Sequence, residues 1–261
     1  MQLSAVNRLG AFLIHLAASL AIFAVLAAVV VYVWYPDFFF TTDGGWQGIR
    51  IIVLVDVVAG PLLTLVVYDR RKPELKRDLA IIVVFQAVCL IGGTWVVYSE
   101  RPLALVYVDG HFFSMSADDY RDRGLAVPDL SHLPGPYPKR VMVDMPADFA
   151  EQSEIRRRAI QERKPLRALV DRYEPLAFDR MRVEDEAVDV AALQERGIAA
   201  EKLDEWLDTH GGRLQDYAFL PFGARFGYAF LGVSKADQEI VGLLDVPRLG
   251  PDPGASQADA D

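Results

Sequence analysis

Three long apolar runs dominate the first hundred residues of the chain. They cover residues 10–34, 49–68 and 79–98, and the only charged side chains within them are Arg50 and Asp56. A helix rises about 1.5 Å per residue, so twenty residues span a hydrocarbon core of roughly 30 Å. The pattern therefore predicts three transmembrane helices. The first run is too long for the apolar region of a signal peptide, so we expect an uncleaved anchor, with a cleaved signal as the alternative.

The connections between these runs differ in charge. Residues 37–48 contain no Lys or Arg, whereas five cations stand between the second and third runs: Arg70, Arg71, Lys72, Lys76 and Arg77. Basic connections stay in the cytoplasm. This asymmetry predicts a multi-pass membrane protein with a cytoplasmic N-terminus, and it places residues 101–249 in the periplasm or at the cell exterior.

Residues 101–249 have the pattern of a soluble α+β domain. Asp109-Gly110 is a hairpin signal between two strand-like runs, Ser116 is a candidate N-cap for a helix to residue 123, and Glu154 and Arg158 have the spacing of an ion pair on one helix face. We predict strands at 103–108, 111–115, 140–144, 217–222, 226–233 and 239–246, and further helices at 147–163 and 198–209. We expect a mostly antiparallel sheet, and a disordered tail at 250–261 because it is Pro-, Gly- and Asp-rich.

Charge and cysteine content narrow the function classes. Residues 101–261 hold 20 basic and 29 acidic residues and carry the whole net charge of −9. Nucleic-acid binding needs a clustered basic footprint, so we expect no nucleic-acid partner. Cys89 is the only cysteine and lies in the third apolar run, so the soluble domain forms no internal disulfide.

A few polar and special residues interrupt the apolar runs. Asp56, Gly60 and Thr64 share one face of the second predicted helix, and Gln86 and Gly93 share a face of the third, which predicts a small, polar contact line between helices. Pro61 would kink the second helix. His15 and Ser19 lie one turn apart in the first, and we expect His15 to lie too far from Asp56 in depth for direct pairing. These side chains could bond within the bundle, contact a helix of another protein, or, for Asp56, move a proton or ion.

Catalytic or cofactor-binding motifs are not evident. His111, His132 and His210 lie far apart in sequence, without the spacing of a metal site or a nucleophile motif. The run 156–158 of three arginines is typical of a solvated helix face, with lipid headgroups or an acidic partner as the alternative. We therefore expect neither an enzyme nor a metal or organic cofactor.

The membrane part resembles the TfpX/TfpZ family of type IV pilin accessory proteins, strongly over residues 8–115. The resemblance lies in a set of residues that occur in the family's order: His15 and Ser19; Trp34, Tyr35 and Pro36; Asp56; Gly60, Pro61, Leu62, Leu63 and Thr64; Leu75, Lys76, Asp78 and Leu79; Gln86; Arg101 and Pro102. Near the C-terminus, Phe219, Leu220 and Pro221 and a hairpin ending at Pro247 resemble the family's closing pattern, although Arg248 replaces an expected aromatic residue.

This resemblance implies a non-enzymatic, chaperone-like factor of the bacterial inner membrane that promotes assembly or stability of a cognate pilin. The pilus assembly machinery is a further expected partner, and the protein is expected to contact the lipid bilayer. It makes His15, Ser19, Asp56, Gly60, Pro61, Thr64 and Gln86 candidate contacts for a partner helix. Pilins resemble one another in carrying a glutamate early in the embedded helix, which His15 and Ser19 could shield. The alternatives are a membrane-anchored ligand sensor that signals through a partner protein and a tethered periplasmic enzyme.

Overall fold

The computed structural model describes residues 7–181, 183–189, 193 and 200–245. The chain divides into two compact units, Met1–Arg101 and Pro102–Asp261, which we call the membrane unit and the sheet unit. The tail predicted at 250–261, the closing pattern at Pro247 and Arg248, and the predicted helix start at Ile198 lie outside the described residues.

The membrane unit contains three helices that are long and apolar enough to cross a membrane. They confirm the three predicted spans, and the protein is a multi-pass membrane protein. The first span is Arg8–Trp34, the second is Gly45–Val67 and the third is Leu75–Ser99. Each begins before its apolar run, so Lys76 and Arg77 belong to the first turn of the third span and not to the preceding connection.

Local chemistry explains where the first span begins and ends. The side chain of Asn7 accepts a hydrogen bond from the backbone N–H of Gly10 at 2.7 Å, which caps the helix. The α-helical part, Arg8–Val29, continues as a π-helical turn, Val30–Trp34, and ends shortly before Pro36. A short helix, Phe39–Thr42, lies in the connection to the second span.

The second span changes its hydrogen-bond register in the middle. It consists of α-helical Gly45–Ile52, π-helical Val53–Ala59 and α-helical Gly60–Val67. In the π-helical register, the backbone N–H of Gly60 donates a hydrogen bond to the carbonyl of Val55, five residues earlier. The next bond in that register would run from residue 61 to the carbonyl of Asp56, but Pro61 has no N–H to donate. The wide turn therefore leaves the Asp56 carbonyl without its helical donor.

Among its described residues, the sheet unit contains seven strands and four α-helices with defined bounds. The strands are β1 Pro102–Val108, β2 His111–Ser116, β3 Lys139–Val143, β4 Tyr173–Pro175, β5 Tyr217–Ala224, β6 Gly227–Ser234 and β7 Glu239–Asp245. The described helices are α1 Ala117–Arg121, α2 Phe149–Gln161, α3 Val183–Glu186 and α4 Ala200–His210, and single 3₁₀ turns lie at Leu166–Ala168, Val170–Arg172, Phe178–Arg180 and Leu214–Asp216.

All seven strands form one sheet in the order β4-β3-β1-β2-β5-β6-β7. Sequence neighbours pair antiparallel, but β1 with β3 and β2 with β5 run parallel. The prediction of a mostly antiparallel sheet was therefore wrong in this respect: the sheet is mixed. Both parallel pairs join strands separated by helices and long connections, and such connections can return the chain in the same direction.

Most local predictions in the sheet unit are confirmed within a few residues. Asp109 and Gly110, both at positive φ, turn β1 into β2. The Ser116 hydroxyl and the Asp119 carboxylate form a capping box at the start of α1, which ends at Arg121 rather than at residue 123. The predicted ion pair is wrong in its partner, because Glu154 pairs with Arg157 instead of Arg158.

Two hydrophobic clusters hold the sheet together. In the first cluster, side chains of β1, β2, β3 and β4 pack against α1. In the second, α4 packs on β5, β6 and β7 through Trp206, Phe219 and Phe230. All seven residues of β1 are buried. Both faces of the sheet are thus covered at its centre.

Candidate functional site

The predicted contact line between the spans exists in the structure. His15, Ser19, Asp56, Gly60, Pro61, Thr64 and Gln86 form what we call the polar seam. Ser19, Asp56, Thr64 and Gln86 are each less than a tenth exposed, Gly60 and Pro61 are buried, and His15 is half-buried. The seam lies among the protein's own spans, which pack on one another there.

One end of the seam is a hydrogen bond between the first and second spans. His15 Nδ1 lies 2.5 Å from the Thr64 hydroxyl. Thr64 follows Asp56 by two helical turns, about 12 Å along the axis. The structure thus supplies a hydrogen-bond partner for His15 that the sequence analysis did not name, while His15 is still near enough to Asp56 to interact with its carboxyl group electrostatically.

The other end joins the second and third spans at the π-helical turn. Gln86 Nε2 donates to the backbone carbonyl of Asp56 in a long hydrogen bond of 3.4 Å. This is the carbonyl that Pro61 leaves without a helical donor. The Gln86 side chain of the third span thus replaces the hydrogen bond that is lost in the second span. Proline is tolerated in membrane helices when a neighbouring group satisfies the freed carbonyl in this way.

Gly60 lets Gln86 reach that carbonyl. A Cβ atom at Gly60 would lie 1.8 Å from Gln86 Nε2, far closer than two heavy atoms can approach. Gly93 was predicted to share this seam, but a Cβ atom there would meet nothing within 4 Å. Gly93 therefore does not belong to the packed line.

The carboxyl group of Asp56 keeps an unused acceptor inside the bundle. Its Oδ2 is buried and has no hydrogen-bond partner among the described residues. An unsatisfied polar atom is costly in a hydrocarbon environment, and ionisable residues at such depths usually have a functional partner. Among the described residues of the seam, this oxygen is a buried acceptor to which a further donor could bind.

Sequence reasoning missed several contacts that fix the ends of the spans. The Tyr35 hydroxyl donates to the carbonyl of Val97 at 2.8 Å, which joins the first span to the third. Arg8 pairs with Asp69 at 3.2 Å and joins the first span to the end of the second. The backbone N–H of Arg71 also bonds to Asp69 and, with Arg8, lowers the pKa of that carboxyl. In the sequence, the available signals for these contacts were the aromatic Tyr35 at the end of the first apolar run and the charged residues Arg8 and Asp69 next to the runs.

The sheet unit has few polar groups in unusual surroundings. Nδ1 of each histidine, His111, His132 and His210, faces a backbone carbonyl two to four residues earlier and so carries the proton. Glu186 accepts a hydrogen bond from Tyr107, and its partial burial raises its pKa. Among the described residues no cluster of His, Cys, Asp or Glu could hold a metal ion.

A cleft of the sheet unit lies between the segment that includes α3 and the β6–β7 turn, with a volume of about 340 Å³. Apolar side chains such as Phe178 and Val233 line it, and Asp179, Glu184 and Asp185 give it acidic edges. The sequence analysis did not predict this cleft.

Comparison with known proteins places the chain beside fimbrial assembly proteins of Dichelobacter nodosus. It is 33% identical over 96 residues to the fimbrial assembly protein of serogroups C1 and C2, which covers 36% of this chain and 73% of that protein. The proteins of serogroups I and E1 are 33% and 31% identical over 96 residues, again 36% of this chain but 37% of each relative.

No family model and no solved structure matches the chain. The chain spans about a third of the length of the serogroup I and E1 relatives, but it covers nearly three quarters of the serogroup C1 and C2 protein. On that coverage and identity, this protein belongs to the family of the fimbrial assembly proteins.

Proposed function

We propose that this protein is an inner-membrane accessory factor that acts on a type IV pilin, chaperone-like and without catalysis, before the pilin enters the fibre. Membership of the fimbrial assembly family carries the proposal. In that role the membrane unit would contact the apolar helix of the pilin, and the sheet unit, on the periplasmic side, would be available to the pilin head. The pilus assembly machinery is a further partner in this proposal.

The packing of the polar seam supports a membrane unit with a defined shape. Hydrogen bonds from His15 to Thr64 and from Gln86 to the Asp56 carbonyl fix the first and third spans on the second. Polar contacts of this kind hold helices together in a bilayer, where burial of apolar surface gives little preference for one arrangement. The spans would therefore present a preformed surface to a partner helix.

The proposed contact with the pilin lies along the seam side of the spans. Asp56 has an acceptor that no described residue uses, and half-buried His15 is the most accessible polar side chain of the seam. A pilin helix that brings a polar group to this depth would gain a partner there. The seven seam residues thus act either directly on the pilin helix or by shaping the surface on which it lies.

Site-specific photo-crosslinking in cells tests this proposal. Probes at buried Ser19 or Asp56 would disturb the packing, so the probes belong on exposed neighbours. The near set lies three residues from Ser19, Gly60 and Gln86 and comprises Ile22, Leu63 and Val83. The control set, one or two residues away on other faces of the same helices, comprises Leu20, Leu62 and Val84. All six side chains are between 41% and 62% exposed.

We expect adducts with the major pilin from the near set and few from the control set. Equal yields from both sets would mean that the seam side is not preferred, and adducts only from probes on the sheet unit would move recognition to the pilin head. If no position crosslinks to the pilin while deletion of the gene still abolishes pili, the proposal of direct contact with the pilin is wrong.

A further inference from the structure

A small cleft at the ends of the first and second spans has a chemistry that the pilus role does not use. Asn7, Arg8, Tyr68, Asp69, Arg70 and Arg71 line it, and its volume is about 220 Å³. We call it the basic cleft. The residues come from the N-terminal end of the first span and from the short connection between the second and third spans.

One carboxylate holds the basic cleft together. Asp69 Oδ2 accepts from Arg8 at 3.2 Å, and Asp69 Oδ1 accepts from the backbone N–H of Arg71 at 3.0 Å. A further backbone bond, from Lys72 to the carbonyl of Asp69 at 3.1 Å, tightens the turn. These bonds hold two arginines, Arg8 and Arg71, beside one another despite their distance in sequence.

Cations exceed carboxylates around the basic cleft. Six basic residues lie here and on the first turn of the third span, against three acidic ones. Asp69 pairs with Arg8, and Glu74 pairs with Arg77. In the part of the chain that the structure describes, Arg71, Lys72 and Lys76 are exposed and make no ion pair. The excess positive charge is thus available to an anion from outside the protein.

The position of the basic cleft identifies the source of that anion. The second span ends at Val67, and buried Tyr68 closes it, so the cleft lies where the apolar spans meet water. Leu9 and Val66, within a turn of the cleft, are 57% and 74% exposed. A ligand at this depth must offer an anionic group to the cations and an apolar group to the exposed Leu9 and Val66. A phospholipid has both, since its phosphate suits the cations and its acyl chains suit the apolar side chains.

We propose that the basic cleft binds the phosphate-bearing headgroup of an anionic phospholipid, with Arg71 of its lining and the neighbouring exposed Lys72 just outside it as the principal contacts, and with the acyl chains along Leu9 and Val66. Arginine and lysine both bind phosphate oxygens, and arginine can do so with two parallel hydrogen bonds. Arg8 remains engaged with Asp69 and positions the cleft. This proposal does not depend on the role in pilus assembly.

Native mass spectrometry of the full-length protein released from mixed phosphatidylglycerol and phosphatidylethanolamine nanodiscs tests the proposal. We expect the wild-type protein to retain phosphatidylglycerol preferentially. The variant R71Q/K72Q should lose roughly tenfold or more of that preference, since each cation near an anionic surface contributes about a fivefold factor. The matched control, R140Q/K235Q, removes two exposed cations of the sheet unit and should retain the preference.

Two results would overturn the proposal. One is an unchanged lipid preference in R71Q/K72Q while its thermal unfolding matches wild type. The other is displacement of the lipid by millimolar glycerol 3-phosphate, which would identify a soluble phosphate compound as the ligand. If the double variant unfolds early, the single variants R71Q and K72Q decide the outcome, because each should lose part of the preference.

Discussion

Gly60 is a residue at which a side chain would collide with the third span. The nearest atoms to a Cβ atom at this position all belong to Gln86. Gln86 is also the donor to the Asp56 carbonyl. A methyl group at Gly60 would therefore push Gln86 away from the Asp56 carbonyl, which Pro61 leaves without a helical donor. The variant would lose both the packing between the two spans and this hydrogen bond.

We expect Gly60→Ala to lower the stability of the membrane unit by about 1–3 kcal/mol, the usual cost of overpacking. The measurement is the unfolding of the full-length protein in detergent, followed by circular dichroism during titration with sodium dodecyl sulfate. Gly93→Ala is the matched control, since its Cβ meets nothing within 4 Å, and it should be neutral or slightly stabilising. Equal losses in both variants would contradict the packing at Gly60.

Much of the seam could be predicted from the sequence because helical spacing puts Asp56, Gly60 and Thr64 on one face. Spacing alone says nothing about the axial offset between two spans, however. That offset decides that Thr64 meets His15 and that Gln86, but not Gly93, meets the second span. The π-helical turn was also missed, since the pattern around Pro61 predicts a kink without giving the register that surrounds it.

At the scale of elements, two buried tyrosines join helix α1 to edge strand β4. Tyr173 donates its hydroxyl proton to the carbonyl of Arg167 at 2.5 Å. The 2.8 Å bond between the two tyrosines must then use the proton of Tyr120. Burial raises the pKa of Tyr120 to about 12 and raises that of Tyr173 well above its ordinary value. The chain of bonds requires both hydroxyls to remain protonated.

The sheet unit should therefore lose stability in alkali. In the unfolded chain tyrosine loses its proton near pH 10, whereas Tyr120 in the folded protein keeps it to about pH 12. Between these values the unfolded state binds fewer protons, so the free energy of unfolding falls as pH rises, by up to about 3 kcal/mol for this group. Below pH 10 the contribution is complete and constant.

Unfolding of the full-length protein in urea, followed at pH 8 to 11.5, measures this loss. Tyr120→Phe keeps the ring and removes the hydroxyl, so it should show a smaller alkaline loss than wild type. The comparison variant is Tyr137→Phe, at a tyrosine that is 38% exposed, which should follow the wild-type curve. Parallel pH curves for wild type and Tyr120→Phe would show that this pair does not govern the alkaline transition.

The elements of the sheet unit could be predicted better than their arrangement. Alternation and turn residues identify β1, β2, β5, β6 and β7 because these signals are local. The order of strands in the sheet depends instead on non-local pairing, that is, on which strands distant in sequence pair with β1 and with β2. The pairing of Phe112 with Phe222 spans a hundred residues, and nothing in either segment specifies its direction. The short strand β4 and the tyrosine pair were missed for the same reason.

The whole molecule combines apolar spans with an acidic sheet unit, and its orientation decides which compartment each part can act in. The proposed contact with the pilin head requires the sheet unit in the periplasm, because a pilin would present its head on that side. The proposed lipid site would then lie in the cytoplasmic leaflet. Under these two proposals, the basic segment from Arg70 to Arg77 would serve two purposes: its cations would set the orientation, and some of them would bind headgroups of the leaflet that they face.

Cysteine accessibility in intact cells tests this orientation. Cys89 is the only cysteine, so Cys89→Ser provides a background into which single cysteines are placed at exposed Lys72 and exposed Asp204. With a membrane-impermeant maleimide applied to spheroplasts, we expect Asp204→Cys to react at once and Lys72→Cys to react only after lysis. The charge asymmetry underlies this expectation, since moving five cations across the bilayer during insertion is strongly disfavoured while the acidic unit carries no comparable barrier. The reverse pattern would place the sheet unit in the cytoplasm, where it could not meet a pilin head, and would leave only the contact between spans and pilin helix as a basis for the proposed function.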